Sequence, residues 1–161
     1  MEHCPRKVDK TPLDKGVAEK LKELFLAKGY SEHSLKTFVP FTFTFTFNDT
    51  TFNLILPLIV ELKERCILLC HYKSSVRGLL SFERETLALA RLFSSPPPKY
   101  ALLTNLQMFA LIDVRSGKYE IGGVEKIPDY NPNILLAQPF DDAFFDPNIE
   151  KRLLYLYLSG G

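Results

Sequence analysis

The sequence predicts an α/β (α+β) domain with a mixed central sheet flanked by helices. Three observations carry this. Phe41-Thr42-Phe43-Thr44-Phe45-Thr46-Phe47 alternates strictly, the period of a strand with one buried face. Two apolar runs, Phe52 to Val60 and Arg65 to Lys73, are separated by the polar Glu61-Leu62-Lys63-Glu64, which marks an antiparallel hairpin. Helical periodicity covers Leu13 to Lys28 and Leu79 to Phe93, and strands interspersed with helices make a mixed sheet.

With 161 residues, 46% hydrophobic and 24% charged, the chain is long enough for one domain with a real core. Residues 1–11 are expected to be a flexible N-terminal arm and 12–161 a single domain. The formal net charge is +1, so a DNA-binding surface must be a local patch rather than a general basic excess. The three cysteines, Cys4, Cys66 and Cys70, form no disulfide framework and point to a reducing compartment. Cys66 and Cys70 lie four apart on one predicted strand, roughly 13 Å at a strand's rise and beyond disulfide reach. They read as buried structural thiols. Met1 to Lys10 has no apolar signal region, and no segment approaches the ~20 apolar residues of a membrane helix. The expectation is a soluble, cytoplasmic protein with no membrane partner.

Taken in order, Thr11 or Asp14 caps the first helix, whose apolar stripe is Leu13, Val17, Leu21, Leu24 and Phe25. Gly29 stops it. Ser31 to Pro40 reads as a connector. The Phe/Thr strand follows, with every Phe assigned to the core. Low in charge, it must be paired on both sides or covered. Asn48-Asp49-Thr50 is a turn. Phe52 to Val60 is apolar on both faces, with a bulge or unpaired segment expected at Pro57. On the strand from Arg65 to Lys73, parity puts His71 and Lys73 on one face, about 7 Å apart.

Beyond the loop Ser74 to Gly78, the second helix carries Leu79, Phe82, Leu87, Ala90 and Phe93 at apolar positions. Pro96-Pro97-Pro98 ends that unit. Tyr100 to Thr104, Met108 to Val114 and Tyr119 to Ile121 are short strands joined by the turns Asn105-Leu106-Gln107 and Arg115-Ser116-Gly117-Lys118. Asn133 to Gln138 is one helical turn. Asp141, Asp142 and Asp146 make an acidic cluster that shapes a loop and matches no EF-hand spacing. Asn148 to Leu158 is a C-terminal helix. The sequence holds no Gly-rich phosphate loop, Cys/His zinc set or nucleophile elbow.

Three segments together resemble a known family. Cys66-Ile67-Leu68-Leu69-Cys70-His71-Tyr72-Lys73 is similar to a strand ending in an acidic residue, any residue, then Lys. Phe82 to Leu92 resembles an Arg/Glu-rich helix ending Ala-x-Ala-Arg-Leu. Tyr100 to Asn105, leading into Met108 to Gly117, resembles a strand, a Thr-Asn corner and a Ser-Gly-Lys hairpin, and Glu150 to Leu154 also fits. In this order they look like the N-terminal domain of type I restriction enzyme R subunits, within the PD-(D/E)XK nuclease superfamily. The resemblance implies a restriction-endonuclease-like core of helix, strand, strand hairpin, helix and strand. It also implies phosphodiester hydrolysis assisted by Mg²⁺ held on carboxylates, with a lysine positioning the nucleophile.

The catalytic positions implied by that resemblance are Asn53, His71 and Lys73. Two of them depart from the family: Asn53 stands where the first acid belongs and His71 where the second does. An amide oxygen is a weak Mg²⁺ ligand, and imidazole suits Zn²⁺ or Mn²⁺ instead. The expectation is therefore a degenerate nuclease-like domain with no metal ligands and no cofactor, acting as a DNA-binding or accessory module. Lys73, Arg77, Arg84 and Arg91 would form its phosphate-contacting patch. The expected partners are DNA, a further copy of the chain or a restriction-system component. The alternatives are an active Mg²⁺-dependent DNA endonuclease with migrated ligands (Asp49, Glu83, Glu85, Glu19 or Glu23), or a protein-interaction domain with no nucleic-acid role.

Overall fold

The computed structural model describes residues 14–45, 49–137 and 144–159, and the backbone alone at 6–9. The chain runs β1 (Arg6–Asp9), α1 (Lys15–Ala27), β2 (Leu35–Phe45), β3 (Thr50–Leu62), β4 (Arg65–Tyr72), α2 (Glu83–Phe93), β5 (Tyr100–Thr104), β6 (Phe109–Asp113), β7 (Tyr119–Gly122), α3 (Pro132–Leu135) and α4 (Pro147–Ser159). A 3₁₀ turn over Leu79–Phe82 leads into α2. The fold is mixed α+β, with helices on a seven-stranded sheet. Within the stretch expected to be a flexible arm, Arg6–Asp9 instead forms a strand parallel to Thr50–Asn53. Leu13, Thr46, Phe47, Asn48, Gln138, Phe140, Asp141, Asp142, His3 and Cys4 lie outside the described residues.

The long strand β3 organises the sheet. Along one edge it pairs antiparallel with β2, from Phe45↔Thr50 to Leu35↔Val60. Its other edge is shared: β1 takes Thr50 to Asn53, and β4 takes Leu58 to Leu62. Pro57 falls in the gap between those two partners, and the β2 register also skips it, opposite Phe38 at φ 52°. The irregularity expected at Pro57 is therefore present, because proline has no N–H to give a ladder. β5 then pairs parallel to β4, and β6 and β7 follow antiparallel.

Local sequence explains the elements. Asp14 is the N-cap of α1, accepting from Gly16 N at 2.8 Å, and Val17, Leu21 and Phe25 bury its stripe. Gly29, at φ 99°, ends the helix in the left-handed region. β2 begins at Leu35, inside the stretch expected to be a connector, and its pattern extends the alternation through Lys36 and Pro40 on the exposed side. Phe43 and Phe45 are buried, Phe41 is half-buried, and Thr42 and Thr44 are exposed. The β3–β4 hairpin closes on Lys63 and Glu64, both at positive φ (50° and 65°).

Two cores line the two faces of the sheet. On one, α2 and α4 cover Phe43, Phe45, Phe52, Leu56, Ile59, Leu69 and Leu103. On the other, α1 covers Leu58, Val60, Ile67, Cys70 and Leu102. Phe52 and Leu56 belong to the α2 face but Leu58 to the α1 face, so the irregularity at Pro57 resets the side-chain parity of β3. Cys70 is buried and Cys66 half-buried, both as free thiols, and burial pushes Cys66 up to about 12. They are the inert structural thiols expected.

Candidate functional site

The C-terminal end of β4 meets the first turn of α2, and there four polar side chains interlock. His71 and Lys73 leave β4 on the α2 face. Thr86 and Glu85 answer them from the helix. The Thr86 hydroxyl donates its one proton to Phe82 O at 2.9 Å. It therefore accepts from His71 Nδ1 at 2.7 Å, which fixes the proton on Nδ1 and leaves the lone pair on Nε2. Burial, and then the nearby Lys73 ammonium, hold the His71 pKa down to about 3, so the ring is neutral at physiological pH.

Lys73 completes the second rung. Its backbone N–H donates to Thr104 O at 3.1 Å, which keeps it in register with β5. Its Nζ stands 3.1 Å from Glu85 Oε2, donates to Oε1 at 3.4 Å, and lies 4.8 Å from the centre of the Phe82 ring. Glu85 is 2% exposed, and its Oε2 accepts no hydrogen bond among the described residues. A carboxylate this deep is tolerable because an ammonium faces it.

Asn53 is not part of this group. It sits one residue from Phe52, whose ring packs toward α4 (5.9 Å from Tyr155), so Asn53 points to the opposite face. There its Oδ1 accepts from Thr42 Oγ1 at 3.0 Å. The sequence-based placement of Asn53 beside His71 and Lys73 is thus corrected. On the α2 face, apolar Leu54 and Leu56 occupy that part of β3.

The expected basic patch is also corrected. Arg84 grips both oxygens of Glu150 on α4 (Nη1 to Oε2 and Nη2 to Oε1, each 2.8 Å), and Arg91 Nη1 reaches Oε1 at 2.9 Å. Arg91 also donates to Val114 O and Arg115 O and lies over the rings of Phe144 and Phe145. Glu150 is 2% exposed. Burial alone would raise its pKa, but the hydrogen bonds from Arg84 and Arg91 outweigh it and hold the carboxyl below the usual range. These arginines tie α2 to α4. Of the four expected phosphate contacts, Lys73, Arg84 and Arg91 are held in ion pairs with buried carboxylates, and Arg77 is exposed on the loop between β4 and α2. Asn105 pins that loop, donating from Nδ2 to Ser75 O at 2.9 Å.

Thr86 and Glu150 were missed in the sequence, yet both had a signal. Thr86 shares the helical stripe of Phe82 and Ala90. Glu150 shares that of Leu154 and Leu158, at i, i+4 and i+8. A polar residue on an apolar stripe calls for a buried partner.

Mg²⁺ is the ion that the resemblance implies. The ion takes hard oxygen ligands, commonly from carboxylates. Of the acids named as migrated ligands, Glu85 is the one paired with Lys73 among the described residues. Its charge is already balanced there, and His71 offers a nitrogen. Among the described residues no three His, Cys, Asp or Glu gather closely enough to hold an ion. The donor set does not fit Mg²⁺. Asp146, from the expected acidic cluster, caps α4 by accepting from Asn148 N at 2.9 Å. No described helix is long and apolar enough to cross a membrane.

Comparison of the chain with protein-family models, with curated proteins and with solved structures found no match in any of the three.

Proposed function

We propose that this chain is a nuclease-like module of the PD-(D/E)XK type, related to type I restriction R-subunit N-terminal domains, that has lost metal-dependent hydrolysis and serves as an accessory or DNA-binding domain. The run α1, β2–β3–β4 meander, α2, and β5 parallel to β4 supports the fold assignment, since it follows the element order of that superfamily. The observation that carries the loss of chemistry is the Lys73–Glu85 pair. The lysine that would orient a nucleophile is committed to a buried carboxylate, and the neighbouring ring is a neutral histidine bonded to Thr86. Contact with a phosphate backbone then falls to Arg77 on the adjacent loop.

The migrated-ligand reading draws on the same pair, because Glu85 is the acid on the following helix that such an enzyme would use. Its near-complete burial and its ammonium partner count against it. Calorimetric titration with Mg²⁺ and Mn²⁺ separates the two readings. The degenerate module gives no saturable heat, whereas stoichiometric binding abolished in Glu85→Gln supports the enzyme. Duplex-DNA affinity that falls with salt and weakens in Arg77→Ala supports the DNA-binding role. Affinity that is absent, or insensitive to salt, assigns the module to protein partners instead.

A further inference from the structure

A surface helix ordinarily turns one apolar stripe to the core and a polar face to water. α4 departs from this pattern. Glu150, Leu154 and Leu158, at i, i+4 and i+8, are its buried line. Arg84 and Arg91 hold Glu150 there, and Leu154 and Leu158 join the core shared with α2. A second apolar line runs along the same helix. Ile149, Leu153 and Leu156 follow at i, i+4 and i+7. Ile149 is 52% exposed, Leu156 is 65% exposed and Leu153 is half-buried. Single apolar residues on a surface need no explanation, but these large aliphatic side chains lie in one line on one helix and form a seam.

The seam has a sign. Arg152 stands within it, three residues after Ile149 and four before Leu156, and Lys151 is its neighbour; both are exposed. The helix carries one carboxylate, Glu150, which is buried and already neutralised. α4 therefore offers solvent aliphatic carbon together with positive charge. A second copy does not fit this seam. Paired in register, parallel or antiparallel, two α4 helices would set Arg152 beside Arg152. An acidic partner does fit, because a carboxylate meets Arg152 while apolar residues cover its flanks. From Ile149 to Leu156 the seam is about 10 Å long, roughly two helical turns. A facing helix covers that span with anchors at i, i+3 or i+4, and i+7.

We propose that the outer line of α4, formed by Ile149, Arg152, Leu153 and Leu156, is a docking seam for an acidic amphipathic helix of another protein. The partner's apolar residues cover the aliphatic side chains, and its carboxylate pairs with Arg152. This inference stands independently of the nuclease-like reading.

Fluorescence anisotropy on the full chain, with two labelled synthetic helical peptides, tests it. Both peptides carry Leu at i, i+3, i+4 and i+7; one has Glu at the flanking positions and the other has Lys. The Glu peptide is expected to bind saturably, and the Lys peptide about tenfold more weakly. Leu156→Glu is expected to weaken the Glu peptide by about tenfold with an unchanged circular-dichroism spectrum, because that side chain lies mostly in water. Arg152→Glu is expected to invert the preference between the two peptides. If Leu156→Glu does not fold, Leu156→Ser is read by the same criterion. No binding, equal affinity for the two peptides, or binding untouched by either substitution overturns the proposal. So does a wild-type dimer that Leu156→Glu dissociates, since the occupant is then a second copy. Sedimentation with phosphatidylserine vesicles that Arg152→Glu abolishes also overturns it, since the seam then meets a membrane surface.

Discussion

Lys73 Nζ stands 3.1 Å from Oε2 of Glu85, pairing the last residue of a strand-end motif with a carboxylate that is 2% exposed. Removing one partner of such a pair leaves the other charge buried. Lys73→Met is expected to cost about 3 kcal/mol, the low end for breaking a buried pair, because the lysine is partly solvated. Replacing both, as Lys73→Met/Glu85→Leu, is expected to recover most of that loss. Urea denaturation of the four corners of the cycle measures it, and a Lys73→Met variant as stable as the wild type contradicts the pairing.

Glu150 holds the second buried charge cluster, and its role is mechanical. Glu150→Ala leaves Arg84 and Arg91 facing each other without a counter-charge and is expected to destabilise the fold by about 3–5 kcal/mol. Arg84→Ala and Arg91→Ala are expected to lower the thermal midpoint, whereas Arg77→Ala should leave it unchanged. The opposite ranking would return α2 to the role of a nucleic-acid surface.

His71 makes the fold acid-sensitive. Its pKa is about 3 in the folded chain against an ordinary 6.5, so between those values the unfolded chain binds a proton that the native one excludes. Stability from this residue is complete above pH 6.5. It falls as pH drops, by up to about 1.4 kcal/mol per pH unit, and levels off near pH 3. Comparing wild type with His71→Asn in denaturation series from pH 7.5 to 4 is expected to show the steeper loss in the wild type. Parallel curves would mean the ring is protonated in the native state.

The β3–β4 turn stores strain. Lys63 and Glu64 both adopt positive φ, a conformation that favours Asn and Gly at a two-residue hairpin turn. Lys63→Asn/Glu64→Gly is expected to stabilise the chain by about 1–2 kcal/mol, read as a shift in denaturation midpoint with unchanged slope. A destabilised variant would show that the side chains make contacts outweighing the strain.

Much of this architecture was legible in the chain. The Phe/Thr alternation, the short polar link at Glu61–Glu64 and the helical stripes of α1 and α2 place six of the seven strands and both long N-terminal helices. β1 was hidden, because Arg-Lys-Val-Asp carries no apolar pattern and gains its order from pairing with β3. The start of β2 was hidden by Lys36 and Pro40, which an exposed edge tolerates. Part of the local geometry around the strand end was legible too. His71 and Lys73 share a face as parity requires, and Glu85 was among the acids named. Asn53 was named from the resemblance, and its turn to the opposite face was hidden because Pro57 resets the parity of β3. Arg84 and Arg91 were misread because their partner lies 66 and 59 residues away, beyond any local pattern.

In the proposed reading, Lys73 serves the buried ion pair with Glu85 rather than hydrolysis. Supercoiled-plasmid nicking with Mg²⁺ and with Mn²⁺, on wild type and Lys73→Ala side by side, tests it most directly. The expected result is no nicking above background in either protein. Metal-dependent nicking by the wild type that disappears in Lys73→Ala would contradict the claim and make Glu85 a metal ligand.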